Sequence, residues 1–257
     1  MLRGLYTSAS GMLRAQKKMD VVSNNLANVS TTGYKKDIAV SQAFPEMLTR
    51  RIEENKDLLN RSENIGTMRL GTDIVQIYTS YTQGRLNKTE SDTDFSISGS
   101  DNAFFAVSVQ GQAGVTEMYT RNGSFTINQA GYLTTREGYM VLGQNGPIQV
   151  GNRKLTVDKD GSISLDGVYV DTLRIVEFVD TTALQKQGNN LVQAPAGVQV
   201  RPFSGQVIQG YIEDANVNPV EEMVDMITVM RSYEANQKVI QAYDNTLDKT
   251  VNDIGRI

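Results

Sequence analysis

The feature that most constrains the fold is a heptad spacing of apolar residues at both ends of the 257-residue chain. From residue 2 to residue 28 the chain has no proline, and its apolar residues recur at alternating steps of three and four. Positions in this first stripe are Leu2, Leu5, Ala9, Met12, Gln16, Met19, Ser23 and Leu26. A period near 3.5 keeps the stripe on one face of a helix that packs lengthwise against another helix. We therefore predict one long helix that needs a partner.

The other end of the chain offers that partner. Asn218 suits the cap of a helix and Pro219 suits its first turn, because proline lacks the N–H group that would be unsatisfied there. A second stripe with the same steps follows, comprising Met223, Met226, Met230, Tyr233, Gln237, Ile240, Asp244, Leu247, Val251 and Ile254. The two stripes predict that the terminal helices pair as a coiled-coil stem, on which further copies of the chain then pack.

The middle of the chain has a different pattern. From about residue 71 to residue 210, runs rich in β-branched and aromatic residues alternate with turn signals such as Asn122-Gly123 and Asp160-Gly161. These runs are 74–78, 104–109, 124–127, 155–157, 173–178 and 205–212. Such spacing indicates an antiparallel sandwich or small barrel. The predicted fold class is therefore α+β, with long terminal helices paired as a stem and a mainly antiparallel β-rich central domain.

We divide the sequence into four parts: an N-terminal helix and turn over 1–35, a variable linker over 36–70, a β-rich domain over 71–215, and a C-terminal helix over 216–257. Within the linker, residues 45–61 are predicted to form a charged helix. That expectation comes from opposite charges placed four residues apart, which support a helix.

Two features of the N-terminal part admit two interpretations each. The small residues Ser8-Ala9-Ser10-Gly11 are either a local weakness of the helix or a place where a neighbouring helix approaches closely. The amides of Asn24, Asn25 and Asn28 either fray the helix end or bond to a neighbouring chain.

Composition excludes most chemistry. The chain has no cysteine and no histidine, which removes thiolate metal sites, the cysteine nucleophile and the usual general base. A net charge of −4 argues against nucleic acid as a partner, since phosphate contacts need a basic face. No apolar run approaches the ~18 residues of a membrane span. We expect no cofactor, no metal and no small-molecule substrate.

Two acidic stretches bear on that expectation. Residues 158–162 resemble the opening of a calcium loop, but the glycine and the distal glutamate of such a loop are misplaced, so a turn is predicted. The cluster Glu90, Asp92 and Asp94 leaves glycan hydrolysis open as a minor alternative to a solvated loop.

Several long motifs resemble bacterial flagellar axial proteins. The segments SASGM (8–12) and MDVVSNNLANVSTTGYK (19–35) are similar to the N-terminal motif of rod, hook and hook-junction proteins. Residues 216–257 resemble the matching C-terminal motif. The internal runs FSISGSDNAFFAV (95–107) and YTRNGSFTINQAGYLTTREGYMVLGQNGPI (119–148) resemble rod proteins of the FlgF and FlgG type.

This resemblance implies a structural subunit of the flagellar basal-body rod, not an enzyme, exported beyond the cytoplasmic membrane. It further implies self-assembly into a helical tube that transmits torque from motor to hook and lines the export channel. The implied partners are other copies of the chain, other rod proteins, the hook protein and the flagellar type III export apparatus. An extracellular adhesin or binding module, with a ligand surface on the β-rich domain, is the alternative.

The predicted assembly residues fall into two sets. In the N-terminal part they are Leu2, Leu5, Ala9, Met12, Met19, Asn24, Asn25, Leu26, Asn28, Thr32 and Gly33. In the C-terminal helix they are Met223, Met226, Met230, Tyr233, Gln237, Ile240, Leu247, Val251 and Ile254.

Overall fold

Two long helices stand at the ends of the chain, and the elements described between them are strands. A computed structural model describes residues 2–52, 62–111 and 114–254. Helix α1 spans Leu2–Ala27 and helix α2 spans Pro219–Ile254. Within the described residues, neither helix is long and apolar enough to cross a membrane. The predicted fold class, paired terminal helices with an antiparallel β-rich centre, is confirmed.

The strands of the described residues are short. In chain order they are β1 Asp37–Ala43, β2 Met47–Ile52, β3 Ser62–Met68, β4 Thr72–Thr79, β5 Leu86–Lys88, β6 Phe95–Ser98, β7 Ala103–Gly111, β8 Gly114–Thr120, β9 Phe125–Ile127, β10 Leu133–Thr135, β11 Met140–Val141, β12 Leu155–Val157, β13 Ser162–Leu165, β14 Val168–Thr172, β15 Ile175–Phe178, β16 Gln185–Lys186, β17 Leu191–Gln193, β18 Val200–Arg201, β19 Gln206–Gln209 and β20 Tyr211–Glu213. The largest sheet of the described residues has nine strands, in the order β16-β17-β8-β7-β11-β10-β9, with β15 paired to β7 and β18 paired to β15.

The chain divides into two compact units, each discontinuous in sequence. The first combines Met1–Leu26, Asp37–Tyr78 and Pro219–Ile257, and therefore holds both terminal helices together with strands β1 to β4. The second combines Ala27–Lys36 with Thr79–Asn218 and holds the remaining strands. The end of the N-terminal motif thus belongs to a different unit from the helix that precedes it.

The predicted charged helix over residues 45–61 is wrong where the structure describes it. Strand β2 runs through this segment and pairs with β3, from Met47 opposite Met68 to Ile52 opposite Ser62. Residues 53–61 lie outside the described residues. Charge pairs four residues apart stabilise a helix by only a few tenths of a kcal/mol. They could not make up for the weak apolar stripe of this segment, and pairing with β3 prevails.

The second unit is built around a core of aromatic and β-branched side chains. Phe105 packs edge-on against Phe125 with ring centroids 5.4 Å apart. A smaller cluster surrounds Phe104, which contacts Tyr81 and Phe178. The predicted β-runs all carry strands. The run over 205–212 is divided into β19 and β20 at Gly210, whose φ of 77° favours glycine because a Cβ would be strained there.

Candidate assembly interface

The terminal helices of the first unit pack against each other in antiparallel fashion. Gly4 lies opposite Tyr243 and Gly11 lies opposite Asn236, so seven residues forward on α1 correspond to seven residues back on α2. At the far end of α1, the Asn25 side-chain amide donates to a Glu222 carboxylate oxygen at 3.3 Å. The predicted pairing of the two ends of the chain is therefore confirmed.

The buried face of α1 is made of small residues, and this differs from the predicted stripe. Ser8, Ala15, Val22 and Asn25 are between 2 and 6% exposed. With Gly4 and Gly11 they form a heptad seam, displaced by one residue towards the N-terminus from the stripe that the large apolar residues predicted. Of the two interpretations of residues 8–11, close helix approach is correct for Gly11. A Cβ there would come within 2.9 Å of the Asn236 amide nitrogen.

The register predicted for α2 is right at every second position. Met226, Tyr233, Ile240 and Leu247 are half-buried. The intervening predicted positions are exposed, namely Met223, Met230, Gln237, Asp244 and Val251. Val229, Asn236 and Tyr243 take the inner positions instead. The sequence pattern placed large apolar residues on the inner face. In the structure, the phenol of Tyr243 lies against Gly4 and the amide of Asn236 lies against Gly11. The side chain of Ile254 lies outside the described residues.

The large apolar residues of α1 flank the seam. Leu5, Ala9, Met12, Met19 and Leu26 are each half-buried, and the side chain of Leu2 lies outside the described residues. On the same side of the helix pair is a groove of about 460 Å³ with a predominantly apolar lining, formed by Gln16, Met19, Met230, Tyr233, Glu234 and Gln237. The predicted stripes of both helices therefore meet along this groove.

Strands of the first unit cover another side of α1. The Thr7 hydroxyl donates to the Leu70 carbonyl oxygen at 3.0 Å, and the Lys17 ammonium group lies 2.9 Å from an Asp73 carboxylate oxygen. Lys17 and Met19 are two residues apart and so point about 200° apart on the helix. The strands and the groove consequently occupy different sides of α1.

The second unit holds the end of the N-terminal motif in a tight turn. Thr32 donates its hydroxyl to the Asn122 side-chain oxygen at 2.8 Å, and its carbonyl accepts from Asn190 at 2.9 Å. The Gly33 N–H donates to the Glu213 carbonyl oxygen at 2.7 Å. Gly33 has a φ of 68°, and a Cβ there would lie within 2.6 Å of the Asn122 Cα, so only glycine fits without a shift.

Next to this turn, two cations share one buried carboxylate. The Lys35 ammonium lies 2.5 Å from one oxygen of Glu213, and the Arg121 Nε lies 2.7 Å from the other. All three side chains are at most 3% exposed. Burial alone would raise the pKa of Glu213, but the charges of Arg121 and Lys35 outweigh burial and hold that pKa below its usual range.

Arg121 and Lys35 also bind the backbone around them. Arg121 donates to the carbonyl oxygens of Ala103 and, at 2.8 Å, Ser100, while Lys35 donates to that of Thr82 at 2.7 Å. The cluster thus joins the end of the N-terminal motif, the strand before α2 and the β-rich core. Sequence reasoning missed these three residues because lone charges in separate segments carry no periodic signal.

The predicted asparagines have different surroundings. Asn25 is buried, donates to the Asp37 carbonyl at 2.9 Å and accepts from the Asp37 N–H at 3.0 Å. Asn28 is half-buried and accepts from the Thr31 hydroxyl at 3.3 Å. Asn24 is exposed. The bonds of Asn25 and Asn28 are therefore within the chain, and a role of these residues in assembly stays a prediction.

The predicted turn at residues 158–162 is confirmed. The Asp158 N–H donates to the Ser162 carbonyl at 3.0 Å, and the Gly161 N–H donates to the Asp158 carbonyl at 2.9 Å. These bonds connect β12 to β13. In the described part of the chain, no three carboxylates come together as a group that could hold a metal ion.

Small residues form the seam of this helix pair, and larger apolar side chains lie on its outer sides. This arrangement is typical of a subunit that packs against other chains in an assembly. Comparison with known sequences agrees. Residues 5–35 match the family described as "Flagella basal body rod protein", residues 96–165 match "Flagellar hook protein FlgE/F/G D1 domain", and residues 208–254 match "Flagellar basal body rod FlgEFG protein C-terminal".

Relatives match over nearly their whole length. The chain is 32% identical to the flagellar hook-basal body complex protein FlhO of Bacillus subtilis, with all of both chains covered. It is 33% identical to the rod protein FlgG of Buchnera aphidicola, covering 97% of this chain and 98% of that one. It is also 33% identical to the rod protein FlgF of Caulobacter vibrioides, covering 98 and 97%.

The chain belongs to the FlgF/FlgG family of flagellar basal-body rod proteins. It is a structural subunit of the basal-body rod, as the sequence predicted. Membership in this family of structural proteins also confirms the prediction that the chain is not an enzyme.

Proposed function

We propose that copies of this chain assemble through their terminal helices into a helical tube that lines the export channel and transmits torque from motor to hook. The observation that carries this proposal is the composition of the helix pair. Its seam uses glycine, serine and alanine, while Leu13, Met223 and Ile227 remain exposed on its outside. Exposed apolar side chains clustered on one element favour an interface over a solvated surface.

Helical assembly also explains why the pair can be weak in a single chain. A seam with few large side chains buries little apolar surface, and the free energy of burial scales with that area. Such ends would order fully only when neighbouring copies cover them, and they could pass a narrow channel unfolded. The proposed partners are accordingly other copies of this chain, other rod proteins, the hook protein and the flagellar type III export apparatus.

In this proposal the parts of the chain have separate tasks. The helices of 1–35 and 216–257 form the assembling stem, the β-rich domain of 71–215 adds bulk and contacts beyond it, and residues 36–70 form the variable linker. The exposed apolar side chains of that segment, such as Met47 and Ile65, support a further contact there.

An in-frame deletion tests the proposal. We expect loss of swimming and basal bodies that lack a complete rod and hook, with both restored by the full chain from a plasmid. A chain truncated to residues 27–218 is the matched variant, since it keeps the whole β-rich unit and lacks both helices, and it should not restore swimming. Swimming cells with normal hooks after deletion, in a strain with no second gene of this family, would contradict it.

A further inference from the structure

The two terminal helices carry unlike apolar faces on opposite sides of their pair. On α1, Tyr6 and Leu13 are 68 and 58% exposed and lie seven residues apart, hence on one face. Each stands two positions after a seam glycine, Gly4 or Gly11, and so points about 200° away from the seam. This outer face of α1, defined by Tyr6 and Leu13, is directed away from α2.

On α2, Val224 and Ile227 are 58 and 52% exposed. Val224 lies two residues after Glu222 and Ile227 lies two residues before Val229, so both also point about 200° from inner positions. Met223, 49% exposed, lies beside them. This outer face of α2, defined by Met223, Val224 and Ile227, is directed away from α1.

The two helices that carry these faces also differ in net charge. Helix α1 carries four basic residues and one acidic residue, a net charge of +3, whereas α2 carries seven acidic and three basic residues, a net charge of −4. Within one chain, the Lys18 ammonium group on α1 lies 3.5 Å from an Asp225 carboxylate oxygen on α2. This ion pair is one example of the attraction between the two helices. Between copies, α1 against α2 is attractive, whereas two like helices repel.

We propose that the outer face of α1 in one copy packs on the outer face of α2 in the next copy. This inference rests on the proposed assembly and names the surfaces that carry it. The occupant of each face is a second copy, because one chain supplies both an apolar face on a helix of net positive charge and an apolar face on a helix of net negative charge. An interface between unlike faces leaves one of each open after every addition, so it continues into an open filament when the repeated rotation does not close into a ring.

Disulfide trapping tests this contact, because the natural chain has no cysteine. Two chains are co-expressed, one with Leu13→Cys and one with Ile227→Cys, and isolated basal bodies are mildly oxidised. Disulfides form only when Cα atoms lie within about 7 Å, so a covalent dimer reports direct contact. We expect a dimer from this pair, and no intramolecular bond in a chain carrying both substitutions, because the faces point in opposite directions.

The matched control pairs Leu13→Cys with Val239→Cys. Val239 is 42% exposed on α2 but lies twelve residues after Ile227, about 120° around the helix. Dimers from the Ile227 pair alone support the inference. Equal dimer yields from both pairs, or none from either in rods that contain both chains, would overturn it while leaving rod membership intact. Absence of the wild-type chain from purified rods would instead remove the proposed assembly itself.

A charge exchange gives a second readout in the full chain. Both positions are exposed, so a charged side chain there leaves the folded unit intact. Leu13→Asp should cause loss of swimming, since a carboxylate then faces the acidic α2 of the next copy. Adding Ile227→Lys should restore swimming by supplying a cation opposite it. Normal swimming of the Leu13→Asp single variant, or no recovery in the double variant, counts against the contact.

Discussion

Gly4 lies so close to Tyr243 that a Cβ at residue 4 would come within 2.6 Å of the tyrosine ring carbon Cζ. One heptad further along α1, Gly11 has the same relation to the Asn236 amide. The two glycines thus let side chains of α2 lie across the backbone of α1. A glycine inside a helix lowers the stability of the helix by about 1 kcal/mol relative to alanine. Here the absence of a side chain makes room for the partner helix.

The first prediction follows from this contact. Gly4→Leu should displace the Tyr243 ring and weaken the helix pair by roughly 1–3 kcal/mol, the usual cost of overpacking. Hydrogen exchange of the α1 amides should become faster. In the double variant with Tyr243→Ala the space is freed, and protection should partly return. Ser23→Leu, at an exposed position of α1, is the control and should leave exchange unchanged; equal effects of both leucines would refute the contact.

The second prediction concerns the carboxylate shared by two cations. Glu213→Gln keeps the shape of the side chain but leaves Lys35 and Arg121 buried without a counter-charge, and breaking such a pair costs about 3–5 kcal/mol. Denaturant unfolding of the β-rich unit should show this loss. Glu137→Gln, an exposed glutamate of the same unit, should change the free energy of unfolding by less than about 0.5 kcal/mol. A similarly small effect at Glu213 would mean that the cluster contributes little.

The same carboxylate predicts how stability depends on pH. The pKa of Glu213 is lowered in the folded chain, whereas in the unfolded chain a glutamate titrates near about 4.3. Below that value the unfolded state binds more protons than the folded state, so stability falls as pH falls. The free energy of unfolding should decline steadily below about pH 4.3, and Glu213→Gln should make the decline shallower. An unchanged slope in the variant would assign the acid sensitivity to other groups.

The spacing of apolar residues predicted both helices, their pairing and the β-runs. A repeat of about 3.5 residues marks the face of a helix that meets a partner, and a repeat of 2 marks one face of a strand, so both can be read from the local sequence. It misplaced the seam because it treats large apolar residues as the inner face. Here glycine, serine and alanine are inside, since two backbones that approach closely leave no room for leucine. The leucines and methionines outside the seam are the side chains that further copies would cover in the proposed assembly.

The cluster of Lys35, Arg121 and Glu213 could not be predicted in the same way. Each charge lies in a different segment, and only the folded β-rich unit brings them to one point. Strand β2 was missed for a related reason. Its local charges favour a helix weakly, and pairing with β3 depends on a segment ten or more residues further along the chain.

The fourth prediction separates two costs at Gly33. Gly33→Ala places a Cβ against the backbone of Asn122 and also strains a residue whose φ is 68°. Gly138→Ala carries only the strain, because its φ is 92° and nothing lies within 4 Å of the added carbon. We expect about 1 kcal/mol of destabilisation at Gly138 and clearly more at Gly33, measured by denaturant unfolding. Equal losses at the two positions would show that the motif turn can move away from Asn122.

The last prediction returns to the helix pair and to the predicted stripe positions that are half-buried. Met226→Asp or Leu26→Asp puts a carboxylate among apolar side chains of the helix pair, where a charge is costly to bury. We expect rods to stop assembling in cells that produce either variant. In the purified full-length variants the β-rich unit should keep its unfolding transition, because Phe105 and Phe104 lie in core clusters of that unit. Asn245→Asp, exposed on α2 and outside the predicted stripe, is the control and should assemble. Full-length rods built from Met226→Asp would show that the helix pair does not carry assembly.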